Sequence, residues 1–116
     1  TKEESIATFI AGIVRSVRFG FASSHGKANM MCYNYMEKNG AFSRNEEGKW
    51  VIDFEKAAEC INSWANLIIE TQATGNVEFA KAYSAENASI GEALAADIEK
   101  INGAGIPRDI VFDFAW

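Results

Sequence analysis

Apolar residues at Ile6, Phe9, Ile10, Ile13, Val14 and Val17 follow the three-and-four spacing that lines one face of an α-helix. They predict a first helix over residues 2–17. Glu3 and Glu4 at its start and Arg15 and Arg18 at its end suit the helix dipole. The run Phe19-Gly20-Phe21 interrupts this pattern, and Ser23 or Ser24 then caps a second helix to about Asn39, with Gly40 as a left-handed stop. Its face of Ala28, Met31, Cys32, Tyr35 and Met36 is expected to look inward.

Over residues 41–53 the pattern changes to two short apolar-polar runs around Asn45-Glu46-Glu47-Gly48, the mark of a small β-hairpin or an extended loop. Asp53 caps a third helix on which Ala57, Cys60, Ile61, Trp64, Leu67, Ile68 and Thr71 give the clearest helical period in the chain. That helix is expected to be central and to end at Gly75. Asn76 opens a shorter fourth helix, with Val77, Phe79, Ala80 and Tyr83 available for packing. Ser89-x-x-Glu92 has the form of a capping box for a fifth, carrying Ile90, Leu94, Ile98 and Ile101 and stopped by Gly103, Gly105 and Pro107. The tail DIVFDFAW at 109–116 is too apolar to stay in water and reads as an extended arm packed on this or another domain.

The expected fold is therefore mainly α, a compact bundle of about five helices with a small β-hairpin and an extended C-terminal arm. At 116 residues the chain suits one domain. It begins at Thr1, so a processed chain or a piece of something longer is expected.

Charge narrows the function. Residues 1–58 hold eight Lys/Arg against seven Asp/Glu, and residues 59–116 three against nine, so the second half is acidic. There is no long basic stripe, and the net charge of −5 opposes binding by counterion release. Nucleic acid is not an expected partner. Neither is a membrane, since no run of about 18 apolar residues and no signal peptide appears; a cytoplasmic location is expected. Cys32 and Cys60 lack Cys-x-x-Cys or Cys/His ligand spacing and read as buried reduced thiols.

Candidate chemistry gathers around the single histidine, His25, beside Ser23, Ser24, Gly26 and Lys27 at a helix start where free backbone N–H groups favour an anion or a polarised carbonyl oxygen. No acid occurs between Ser5 and Met36, while Arg15, Arg18 and Lys27 are present, so this neighbourhood reads as cationic. On the residues alone, a surface or capping histidine without a role is the more ordinary reading. Lys27 could meet an acidic group and Asn29 would share the face of His25, or each could be a solvated or locally bonded side chain. Met30, Met31 and Met36 with Tyr33 and Tyr35 read as core, and Glu46, Glu47, Glu55 and Glu59 as solvated charge. There is no GxSxG, phosphate loop or GxGxxG.

Three runs carry a family resemblance. They are Val17-Arg18-Phe19-Gly20 with Ser23-Ser24-His25-Gly26-Lys27-Ala28-Asn29-Met30-Met31, Asn34-Tyr35 and Gly40-Ala41-Phe42; then Ile90-Gly91-Glu92-Ala93-Leu94; then Ile106-Pro107-Arg108-Asp109-Ile110-Val111-Phe112. In order and spacing they resemble the C-terminal helical region of the dipeptidyl-peptidase III family of zinc exopeptidases, bacterial type, over nearly the whole chain. The HExxGH zinc motif of that family is missing here, because one histidine cannot complete it.

The resemblance implies a substrate-cleft-lining part of an enzyme that removes dipeptides from peptide N-termini. His25 would be the catalytic candidate, donating a hydrogen bond to the peptide or its tetrahedral intermediate, with Ser24, Lys27 and Asn29 as further substrate contacts. Eukaryotic members of the family carry an arginine at the place of Asn29, whose bidentate contact Asn cannot reproduce. The parent enzyme would hold zinc and this chain no cofactor or metal, so the chain alone would be inactive. Its partners would be the peptide substrate and the remainder of the parent lobe, and exposed apolar surface leaves it open to homodimerisation. A freestanding helical protein-interaction module is the alternative.

Overall fold

The computed structural model describes residues 1–109. Its elements, in chain order, are α1 (Lys2–Val17), α2 (Ser24–Lys38), β1 (Phe42–Arg44), β2 (Trp50–Ile52), α3 (Phe54–Thr74), α4 (Val77–Asn87) and α5 (Glu92–Gly103). The expected five helices and hairpin are all present. The C-terminal arm expected over 109–116 lies, beyond Asp109, outside the described residues.

Local chemistry accounts for most boundaries. The Thr1 hydroxyl accepts the Glu4 N–H at 3.1 Å and opens α1. Ser23 Oγ accepts from Gly26 N–H at 3.1 Å, Asp53 Oδ1 from Lys56 N–H at 3.0 Å, and Asn76 Oδ1 from Phe79 N–H at 3.1 Å. Gly75 closes α3 at φ 61°, a conformation that disfavours a Cβ. The capping box expected at Ser89 does not form: Gly91 is the N-cap of α5 and supplies no side-chain bond. The hairpin pairs Phe42 with Ile52 and Arg44 with Trp50, around a turn in which Asn45 Oδ1 accepts from both Glu47 and Lys49 N–H.

The core lies between α1, α2 and the root of the hairpin. Ile6, Ile10, Ile13, Val14 and Val17 pack with Met30, Tyr33, Met36, Ala41, Phe42, Ala57, Cys60 and Leu94. Each large side chain fully removed from water contributes about 1.5–3 kcal/mol. Phe9, expected on the inner face of α1, is 42% exposed. Two further expectations change. Helix α2, not α3, is the hub, touching α1, α3, α4 and β1, and on the face of α2 expected to look inward Ala28 is exposed and Met31 and Tyr35 are half-buried, whereas Met30, Tyr33 and Met36, read as core, are buried. A helix enclosed on several sides shows no single apolar stripe. Helix α3 buries only Ala57 and Cys60 and carries its later turns, with α4, outward from the core.

Candidate functional site

The candidate residues sit in the first two turns of α2, and their placement depends on a close backbone approach. A Cβ on Gly26 would collide with the Gly20 carbonyl oxygen and lie 2.7 Å from Phe21 Cα. Only glycine lets the start of α2 tuck against the end of the α1–α2 connection. Gly20 takes φ 93° to make that turn.

Ser24 is the first helical residue, and the capping role belongs to Ser23. His25 is exposed, and its imidazole forms no hydrogen bond with the described residues. Lys27 is also exposed and has no ion pair among them. Asn29 Nδ2 donates to the His25 carbonyl oxygen at 3.0 Å, so its amide is engaged with its own helix. The structure therefore gathers Ser24, His25, Lys27 and Asn29 within about a turn and a half, with the His25 and Lys27 side chains unpartnered among the described residues. Among the described residues no three His, Cys, Asp or Glu side chains stand close enough to hold a metal ion.

The cationic surroundings read from the sequence are largely committed elsewhere. Arg18 donates from Nη2 to the Ile106 carbonyl at 2.5 Å, from Nη1 to the Pro107 carbonyl at 3.2 Å and from Nε to Asn102 Oδ1 at 3.1 Å. Arg15 pairs with Asp109 at 3.0 Å. The guanidiniums of Arg15 and Arg108 lie 5.7 and 5.8 Å from the centroid of the Phe19 ring.

Two features went unread in the sequence. Arg44 on the hairpin reaches Asp97 Oδ2 on α5 at 2.8 Å, Glu37 Oε1 on α2 at 3.0 Å and the Tyr33 hydroxyl at 3.3 Å, and lies 5.4 Å from the Trp50 ring centroid. Burial works against its charge, but Asp97, Tyr33 and Glu37 outweigh it and raise the guanidinium pKa. The Trp50 indole N–H beside it is buried and interacts with the Tyr33 phenol outside ordinary hydrogen-bond geometry. An arginine in a hairpin gives no sequence signal for a partner 53 residues away. The second feature is an apolar groove of about 250 Å³ between α2, α3 and α4.

Cys32 and Cys60 are free and buried, as expected. Burial, with Cys60 nearby, pushes the Cys32 thiol up to about 11, which keeps it unreactive at neutral pH.

A short hairpin inserted between the second and third of five helices, with α2 as the hub, defines a mainly helical fold with a single two-stranded sheet among the described residues. In fold and sequence the chain is similar to part of DPP III from Caldithrix abyssi, at 30% identity and a TM-score of 0.80 over 89% of this chain. It is likewise similar to part of dipeptidyl-peptidase III from Corallococcus sp. strain EGB, at 28% identity and a TM-score of 0.81 over 90%. The family resemblance read from the Arg18, His25 and Ile106 runs thus holds across the described fold. Among curated proteins, Nudix hydrolase 3 of Arabidopsis thaliana is 30% identical over 108 residues, 93% of this chain. The chain spans about a fifth of either solved chain and 14% of that plant protein. No protein-family model matches it.

Proposed function

We propose that this chain is a substrate-cleft-lining part of a zinc-dependent dipeptidyl peptidase that removes dipeptides from peptide N-termini, and that it is inactive alone. The observation that carries the reading is the likeness to two solved dipeptidyl-peptidase III chains over about nine tenths of this chain. The exposed, unpartnered imidazole at the start of α2 is consistent with it.

In this reading the His25 N–H donates to the scissile carbonyl oxygen or to the oxyanion that develops from it, where a preformed donor stabilises charge in the transition state. Lys27 adds a long-range positive field and can meet a substrate carboxylate. Ser24 lies at the same helix start, where backbone N–H groups favour a carbonyl oxygen. Asn29 holds the His25 carbonyl with one amide N–H and has its second N–H and its Oδ1 left to meet substrate. Zinc in the parent enzyme would supply an activated water. Its ligands would come from outside this chain, whose described residues offer no donor set. The remainder of the parent lobe would be the structural partner, and the setting cytoplasmic.

The test compares this chain with the full polypeptide its gene encodes, for zinc content and dipeptide release from a chromogenic dipeptide substrate. Zinc and release in the full polypeptide alone support the reading; neither in both overturns it. The exposed groove on α3 and α4 favours, as second reading, a freestanding interaction module.

A further inference from the structure

The end of the molecule formed by α3 and α4 is built for contact. Thirteen of the 21 residues of α3 follow Ile61, and none of these is buried, nor is any residue of α4. Yet the two helices expose a continuous apolar face, with Ile68 39% and Phe79 38% accessible. The groove between them is lined by Met31, Trp64, Leu67, Ile68, Phe79 and Tyr83, with polar groups only at its margin. Three of these rings pack in series, Trp64 to Tyr83 at 5.9 Å and Tyr83 to Phe79 at 5.6 Å between centroids, and Tyr35, outside the groove, meets Trp64 at 5.2 Å. Aromatic and methionine side chains adapt to a large apolar visitor without needing polar partners.

Toward the α3–α4 turn the groove continues past Leu67, Thr71 and Phe79 to Glu70, Thr74 and Asn76. The Glu70 carboxylate has no ionic partner among the described residues. One end of the trough is thus apolar and the other acidic. Two helices joined by a short turn leave a channel that a third, amphipathic helix fills by ridge-into-groove packing.

We infer that the groove seats an amphipathic helix from the remainder of the parent polypeptide, with a large apolar side chain over Trp64 and Tyr83 and a Lys or Arg facing Glu70. The occupant follows from length: the solved chain from Caldithrix abyssi has about four fifths of its residues outside the matching region, since this chain covers 20% of it. The inference rests on the reading of the chain as part of a larger peptidase, and it assigns the contact face, not the chemistry.

The test places a cysteine in the groove by Ala80→Cys and another at the exposed hairpin turn by Glu47→Cys, and follows iodoacetamide labelling by peptide mass spectrometry. Peptide-level readout separates these positions from buried Cys32 and Cys60. In the 116-residue chain the two sites label at similar rates. In the full polypeptide the groove position slows at least about tenfold relative to the turn, and adding Glu70→Arg restores at least about a third of the lost rate. Equal rates in the full polypeptide overturn the inference. So does a gene that encodes nothing beyond this chain, or protection that grows with the concentration of the short chain, which would assign the groove to a second copy. A protected groove without dipeptide release sinks the peptidase reading and leaves the docking face standing; release with an open groove does the reverse.

Discussion

Arg18 and Ile106, 88 positions apart in the chain, are joined by a 2.5 Å hydrogen bond from guanidinium to carbonyl oxygen. The bond connects two of the runs that carry the family resemblance, Val17-Arg18-Phe19-Gly20 and Ile106-Pro107-Arg108-Asp109. Arg108 returns a bond to the Arg18 carbonyl at 3.4 Å, so the clasp is reciprocal. The segment after α5 is thereby tied to the end of α1, directly before the turn that presents His25.

Arg18→Ala removes three side-chain bonds at a partly exposed site. A loss of about 1–2 kcal/mol in urea unfolding is expected, with faster amide exchange over residues 103–109. Arg18→Lys should recover only part of it, since an ammonium cannot reproduce the planar fork. Unchanged exchange in that segment would show that the clasp carries no stability.

Two glycines separate strain from helix propensity. A Cβ at Gly26 runs into the Gly20 and Phe21 backbone, while a Cβ at Gly12, inside α1, meets nothing within 4 Å. Gly26→Ala is expected to cost about 2–4 kcal/mol, and Gly12→Ala to stabilise by about 0.5–1 kcal/mol. Thermal melts of the pair check both signs.

Alkaline pH should weaken the fold. With its thiol raised by burial, folded Cys32 keeps a proton that the unfolded chain has already lost, so stability falls as pH climbs from the ordinary 9.0 to about 11. Burial raises the Tyr33 and Tyr83 phenols as well, in the same direction. Denaturant midpoints across this range should decline, and Cys32→Ala should make the first part of the decline shallower. A midpoint independent of pH there would contradict the assignment.

The Arg44–Asp97 pair can be weighed by a double-mutant cycle with Arg44→Met and Asp97→Asn. Both groups are half-buried and Arg44 has two further acceptors. A coupling of about 1–2 kcal/mol is expected, above the value for an exposed pair. A coupling near zero would make the cluster incidental to the docking of α5.

These relationships divide along physical lines in how far the sequence foretells them. Helix α1, the hairpin turn at Asn45 to Gly48, and the Asp53 and Gly75 ends of α3 depend on local periodicity and caps, and could be read directly. The buried face of α2 could be read only in part: Met30, Cys32, Tyr33 and Met36 are core as read, but Ala28 and Met31 lie farther out, because α1, α3 and α4 all surround the helix and no single stripe marks its inside. Ser89 resembled a cap only by spacing; Gly91 took the position. His25 was legible as the candidate because it is the one histidine at a helix start. Arg15 and Arg18, read as its cationic surroundings, turn instead to residues 102–109, a long-range pairing that local pattern does not encode.

The most direct measurement is dipeptide release by the full polypeptide with and without His25→Ala, beside the melting temperature of each. His25 is exposed and unpartnered among the described residues, so the account predicts a fall in kcat/KM of at least about 100-fold with a stability change under about 0.5 kcal/mol. Unchanged turnover would contradict the assignment of His25 to the cleft.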